Sequence, residues 1–115
     1  MKYLCLVYSS EEALHSLPES PKDSECIAYA ESVRASGRML AAEALESVQT
    51  ATTVRVRNGR MSITDGPFAE TKEQLAGFYL IEARDLNEAI QVAARIPAAR
   101  VGCVEVRSVR ELKPD

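Results

Sequence analysis

The sequence predicts an α+β fold in which one antiparallel sheet carries two helices on one face. Three observations point there. Tyr3–Tyr8 and Leu75–Ile81 are apolar almost throughout rather than alternating, the pattern of strands covered on both faces. Two stretches, opening near Ser20 and Asp85, join helix-start residues to apolar positions at helical spacing. Between them Asn58-Gly59 links two alternating runs, as a two-residue hairpin requires. The order is β-α-β with an inserted hairpin, then β-α-β. That split β-α-β arrangement is ferredoxin-like, with the first and third core strands in the centre.

Tyr3-Leu4-Cys5-Leu6-Val7-Tyr8 forms the first strand, and Ser9 to Glu19 reads as a polar connection holding the only histidine, His15. Ser20 then serves as helix N-cap, with Pro21 at the first helical position and Asp23 in the electropositive first turn. Cys26, Ile27, Ala30 and Val33 form the apolar face, and Gly37 supplies a left-handed stop. Met39–Ala42 begins a second strand. Val54 and Val56 alternate with Arg55 and Arg57, and Met61 and Ile63 return on the partner strand. After the buried strand Leu75–Glu82, Asp85 and Glu88 make a capping box for a helix with Leu86, Ile90 and Ala93 on one face. Ile96-Pro97 ends it, and Val101–Val106 is the last strand.

A chain of 115 residues fits a single domain, residues 1–115. At 46% hydrophobic and 27% charged it has the composition of a folded protein rather than a disordered one. Its net charge of -3, with arginines interleaved among acids, lacks the basic stripe of a nucleic-acid binder. The apolar run at the N-terminus is too short for a secretory or membrane segment. Three cysteines without C-x-x-C spacing indicate reduced thiols in a cytoplasmic protein, and Cys5 and Cys103 are expected to be buried in their strands. Nucleotide-binding, zincin and nucleophile-elbow motifs are absent, and a lone histidine cannot make a metal site, so the sequence calls for no cofactor.

The run Thr64-Asp65-Gly66-Pro67-Phe68-Ala69-Glu70-Thr71-Lys72-Glu73-Gln74, leading into Leu75–Glu82, resembles the DGPF branch of the YCII-related domains. Ala51–Gly59 looks like that family's hairpin, and Pro97–Arg100 with Val104–Arg107 looks like its C-terminal strand. The resemblance covers roughly residues 2 to 109. It implies a dimeric α+β barrel and no particular reaction. The residues point independently to a dimer: two helices cover one sheet face, while Tyr3–Tyr8 and Leu75–Ile81 offer apolar side chains to both. A second copy packed face to face would seal the rest. Some YCII-related proteins outside this branch are thought to use a His-Asp pair; Cys26 stands in the corresponding stretch here, so the pair is not carried over.

Asp65 has two readings. It is a general base or ligand anchor at a cleft mouth, or an Asx-type brace of the following turn, which Gly66-Pro67 favours. Glu70, Lys72 and Glu73 are paired carboxylates flanking a cation, or a solvated loop. Tyr8 and Tyr79 present hydroxyls to a ligand or sit in the core with one polar tip to satisfy, and His15 is a surface loop residue unless a ligand reaches it. Two functions fit. One is a cofactor-free enzyme acting on a small molecule by acid–base chemistry between sheet and helices. The alternative is a non-catalytic regulatory module contacting a protein such as an extracytoplasmic-function sigma factor, which the resemblance suggests. Neither involves direct nucleic-acid or membrane binding.

Overall fold

The computed structural model describes all residues 1–115. In chain order it runs β1 (Lys2–Ser9), α1 (Glu11–Ser16), α2 (Asp23–Ala35), β2 (Met39–Ala44), a 3-10 turn at Val48–Thr50, and β3 (Thr52–Arg57). It continues with β4 (Arg60–Asp65), β5 (Gln74–Glu82), α3 (Leu86–Ala94), a second 3-10 turn at Pro97–Arg100, and β6 (Gly102–Ser108). The main sheet has the order β2-β5-β1-β6, antiparallel throughout, and β3-β4 form a separate two-stranded ribbon. This is the ferredoxin-like order expected, with β1 and β5 in the centre.

The central strands are less uniform than their composition. Tyr3, Cys5, Val7 and Ser9 of β1 and Gly77, Tyr79 and Ile81 of β5 are buried under the helices. Their alternates Leu4, Leu6, Tyr8, Phe78 and Leu80 are only half-buried and form the other face of the sheet. Across that face Leu4 lies opposite Leu80, Leu6 opposite Phe78, and Tyr8 opposite Leu75. No helix covers it. The molecule is accordingly a slab, 47 × 46 × 19 Å, with a radius of gyration of 16.0 Å. A chain of this length packed as a sphere would have about 13 Å. The surplus reflects the hairpin, which pairs with no other strand.

The connection after β1, expected to be a polar loop, contains a short helix. Ser10 caps α1 by accepting from the Ala13 amide at 3.3 Å, and Glu11 and Glu12 occupy its first turn. Ser20 does not cap α2. Its hydroxyl donates to the Ala13 carbonyl at 3.1 Å, bracing the preceding loop, so α2 starts two residues later than expected, at Asp23 behind Lys22. Gly37, at φ +82°, ends α2 in the left-handed conformation as expected.

Both helices present a rotated face. On α2 Tyr29, Ala30 and Val33 reach the core while Ile27 is 58% exposed. Tyr29 wins because its hydroxyl finds a buried acceptor, the Val92 carbonyl at 2.6 Å, so its large ring can be buried at no polar cost. On α3 the buried side is Ala89, Val92 and Ala93, continued by Ile96, whereas Leu86 and Ile90 lie half in solvent. Small residues at 89 and 93 let the helix sit close to the sheet. Asp85 caps α3 as expected by accepting from the Glu88 amide at 2.9 Å, but Glu88 reaches back to Arg84 N–H at 3.1 Å rather than to the cap's own.

Burial pushes the Cys5 thiol up to about 11. It pushes the Tyr79 phenol up to about 12, with Cys26, Tyr29 and Cys5 beside it adding to the effect. A raised acid binds its proton more tightly folded than unfolded. The resulting stability is complete below the unfolded values near 9 and 10 and is lost as pH rises through 11 to 12. We expect urea unfolding at pH 11 to show at least about 1 kcal/mol less stability than at pH 8. Cys5→Ala removes the lower-pH part of that loss; an unchanged pH profile would contradict the burial of these groups.

Candidate active site

A cavity of about 530 Å³ opens where β1 and β5 meet at the end of the sheet. Tyr8 and Leu75 line it from the sheet, Phe68 and Glu73 from the loop after β4, and Glu46 and Thr53 from the segment leading into the hairpin. The register slips between Val7 and Tyr8, where β5 carries Ala76 as an extra residue, so the strand end is re-aimed at this point.

Local chemistry shapes the walls. Gly66, at φ +98°, turns the chain out of β4; its amide donates to the Ala51 carbonyl at 2.7 Å, and the Thr53 hydroxyl donates to its carbonyl at 2.8 Å. Thr71 donates its hydroxyl to the Glu73 carbonyl at 2.6 Å, and the Gln74 side chain donates to the Thr71 carbonyl at 2.7 Å. Glu11, at the start of α1, accepts from the Val48 amide at 2.7 Å and the Ser47 hydroxyl at 2.9 Å. That carboxylate pins the 3-10 turn that forms one wall.

Cys103 lies opposite Tyr8 across the β1–β6 pair, with its Sγ 3.9 Å from Glu73 Oε1. It is exposed, contrary to expectation, because β6 is an edge strand and Cys103 projects from the helix-free face. Partial desolvation first, then the charges of Glu73 and Glu105 and the contact to Glu73, push its thiol up. It therefore stays protonated and is a poor nucleophile.

Of the residues singled out from the sequence, Tyr8 and Glu73 come together in this cavity. Asp65 ends β4 opposite Thr52, exposed and outside the lining. Its carboxylate makes no hydrogen bond in the chain, so the turn is braced by Gly66 and Thr53 instead. Glu70 and Lys72 are exposed on the loop, and His15 is exposed on α1. Tyr79 is in the core under the helices, its ring centroid 6.1 Å from that of Tyr29. The interface between sheet and helices, where a site was expected, is filled by the core cluster. A groove of about 610 Å³ does lie between α2 and α3, but Arg38 and Arg84 there are bound to Glu88 at 3.3 and 3.4 Å.

Sequence reasoning missed Phe68, 79% exposed at the cavity mouth, although it stands in the very loop that drew attention. It also missed Glu46 in the lining, and Glu11, whose role depends on contacts to Ser47 and Val48 far along the chain.

The fold and this loop define the class: an α+β protein of ferredoxin-like architecture. A family model described as the YCII-related domain matches residues 1–113, and the chain belongs to that family. An uncharacterised protein of Rhizobium meliloti strain 1021 is 47% identical over 66 residues, which are 56% of this chain and 53% of that protein. The match thus spans about half the length of that relative. A solved structure, the 5-chloro-2-hydroxyhydroquinone dehydrochlorinase TftG of Burkholderia phenoliruptrix AC1100 in complex with 2,5-dihydroxybenzoquinone, superposes with a TM-score of 0.58. That alignment covers 96% of this chain and 94% of TftG at 14% identity, a likeness of fold. No helix is long and apolar enough to cross a membrane.

Proposed function

We propose that the protein is a homodimer with a small-molecule site of acid–base type in the cavity beside Tyr8. The observation that carries this is the lining itself: the phenol of Tyr8 and the carboxylates of Glu73 and Glu46, in a cleft otherwise made of neutral polar side chains and apolar groups. Glu46 and Glu73 are its only charged residues, so it disfavours anions and suits a neutral ligand. Phe68 and Leu75 offer apolar contact to a ring. Glu73 takes the role of base, and Tyr8 donates a hydrogen bond to oxygen charge developing on the substrate. The ring compound bound by the structurally similar TftG is of a size this cleft can take. The alternative, regulation through a sigma factor, has no comparable observation behind it.

Native mass spectrometry of the purified protein is the first test, since a dimer carrying extra mass would reveal the ligand class. A thermal-shift screen of neutral phenols and cyclic ketones follows. We expect Tyr8→Phe to lower turnover of any substrate so found by about 100-fold, the usual scale of a proton-transfer group, with little change in KM. Full activity in both Tyr8→Phe and Glu73→Gln would overturn the assignment.

A further inference from the structure

The hairpin is the least supported part of the fold. Val54 lies opposite Ile63 and Val56 opposite Met61, so these side chains share one face of the ribbon. They are 56%, 61%, 59% and 66% exposed, in the order just given. An isolated two-stranded hairpin is marginal in water, and monomers seldom leave so continuous an apolar strip bare. Near its tip stand Arg55, Arg57 and Arg60, none in an ion pair within the chain; the Arg57 guanidinium meets only the Val56 carbonyl, at 3.0 Å. The arm is thus a cationic projection from a chain whose net charge is -3.

The second bare surface is the helix-free face of the main sheet. Its apolar stripe, Leu4, Leu6, Phe78 and Leu80, runs along the two central strands. On either side stands an acid: Glu43 of β2 beside Phe78, and Glu105 of β6 beside Leu6, the latter 3.8 Å from Arg107, which stands beside Leu4 on the same face and is 70% exposed. An apolar stripe between carboxylates matches an apolar ribbon whose long arginines can bend round its edges.

We propose that β3–β4 is a dimerisation arm, each subunit laying Val54, Val56, Met61 and Ile63 over the partner's helix-free sheet face. Arg55, Arg57 and Arg60 then meet the acids that flank the stripe. The inference rests on the homodimer proposed above and specifies which surfaces form it. Two-fold symmetry makes the contact twice. A stable interface needs about 800 Å² from each partner, more than one ribbon face supplies, so arm and sheet face act together.

Two experiments decide it. Sedimentation and native mass spectrometry compare the wild type with Val56→Asp/Met61→Asp and with Arg55→Glu/Arg57→Glu/Arg60→Glu. The expected result is a wild-type dimer, a dimer Kd raised at least 100-fold by the first variant, and one raised about 10-fold by the second at low salt. In the other experiment, Met61→Cys and Leu80→Cys chains, both also carrying Cys26→Ser and Cys103→Ser, are mixed and treated with a short bismaleimide. A cross-link between the two different chains supports the arm. A wild-type dimer with no such cross-link and with both variants equally dimeric overturns the arm and leaves the dimer standing. A monomeric wild type overturns both.

Discussion

Gly102→Ala is expected to destabilise the protein by about 3 kcal/mol, at the upper end for adding one methyl group to a packed interior. Gly102 opens β6 opposite Ser9, on the flank of the central strand. An added Cβ runs into the Tyr8 carbonyl oxygen and lies 3.0 Å from both Ser9 Cα and Ser9 Cβ. Those obstacles belong to the backbone of β1 and to a side chain that is 1% exposed, so nothing can swing aside. Relief requires β6 to move off β1, which weakens the ladder and displaces Tyr8 from the cavity. Ligand binding should fall together with the urea midpoint. Gly59→Ala provides the contrast: nothing lies within 4 Å of its new Cβ, and only the φ of +75° resists, a cost of about 1 kcal/mol. Equal midpoints for the two variants would show that β1 and β6 are not packed this closely.

What the sequence revealed was what is decided locally. Asn58-Gly59 dictates its turn whatever surrounds it, and both residues have the positive φ that the turn needs, 53° and 75°. Asp85 finds its amide three residues away, within one turn of helix. Errors arose where a choice depended on distant groups. Ile27 is more apolar than Tyr29, yet Tyr29 is turned inward by a carbonyl 63 residues away. Ala93 is buried as expected, but Leu86 and Ile90 lost the core to Ala89 and Val92 because the approach of helix to sheet sets the room available. The same holds for the candidate site. The loop after Asp65 and the phenol of Tyr8 were visible as unusual residues in suggestive places. Glu11 was not, since nothing at Ser10-Glu11-Glu12 announces that its carboxylate will hold Ser47 and Val48.

Leu6→Glu should turn the proposed dimer into a monomer while leaving the subunit folded. Leu6 sits mid-strand in β1, between Phe78 of β5 and Glu105 of β6, on the face no helix covers. It is half-buried in the isolated subunit, so a carboxylate there can still reach water, and the loss of folding stability should stay near about 1 kcal/mol. Burial by a second copy changes the balance. The new carboxylate is then desolvated in the middle of an apolar stripe and close to Glu105, and two-fold symmetry imposes this once in each subunit. Even about 2 kcal/mol per site raises the dimer Kd by about a thousandfold. A dilution series by sedimentation velocity would show wild type dimeric where the variant is monomeric, with unfolding midpoints nearly equal. Arg84→Glu serves as control: it makes the chain still more acidic than Leu6→Glu does, but on the helix side at a residue 78% exposed, and should not alter assembly. If Leu6→Glu sediments as the wild type does, the stripe along β1 and β5 is not the seam between subunits. The hairpin would then have no sheet face to cover, whereas the cavity beside Tyr8, built from one chain alone, would keep its chemistry.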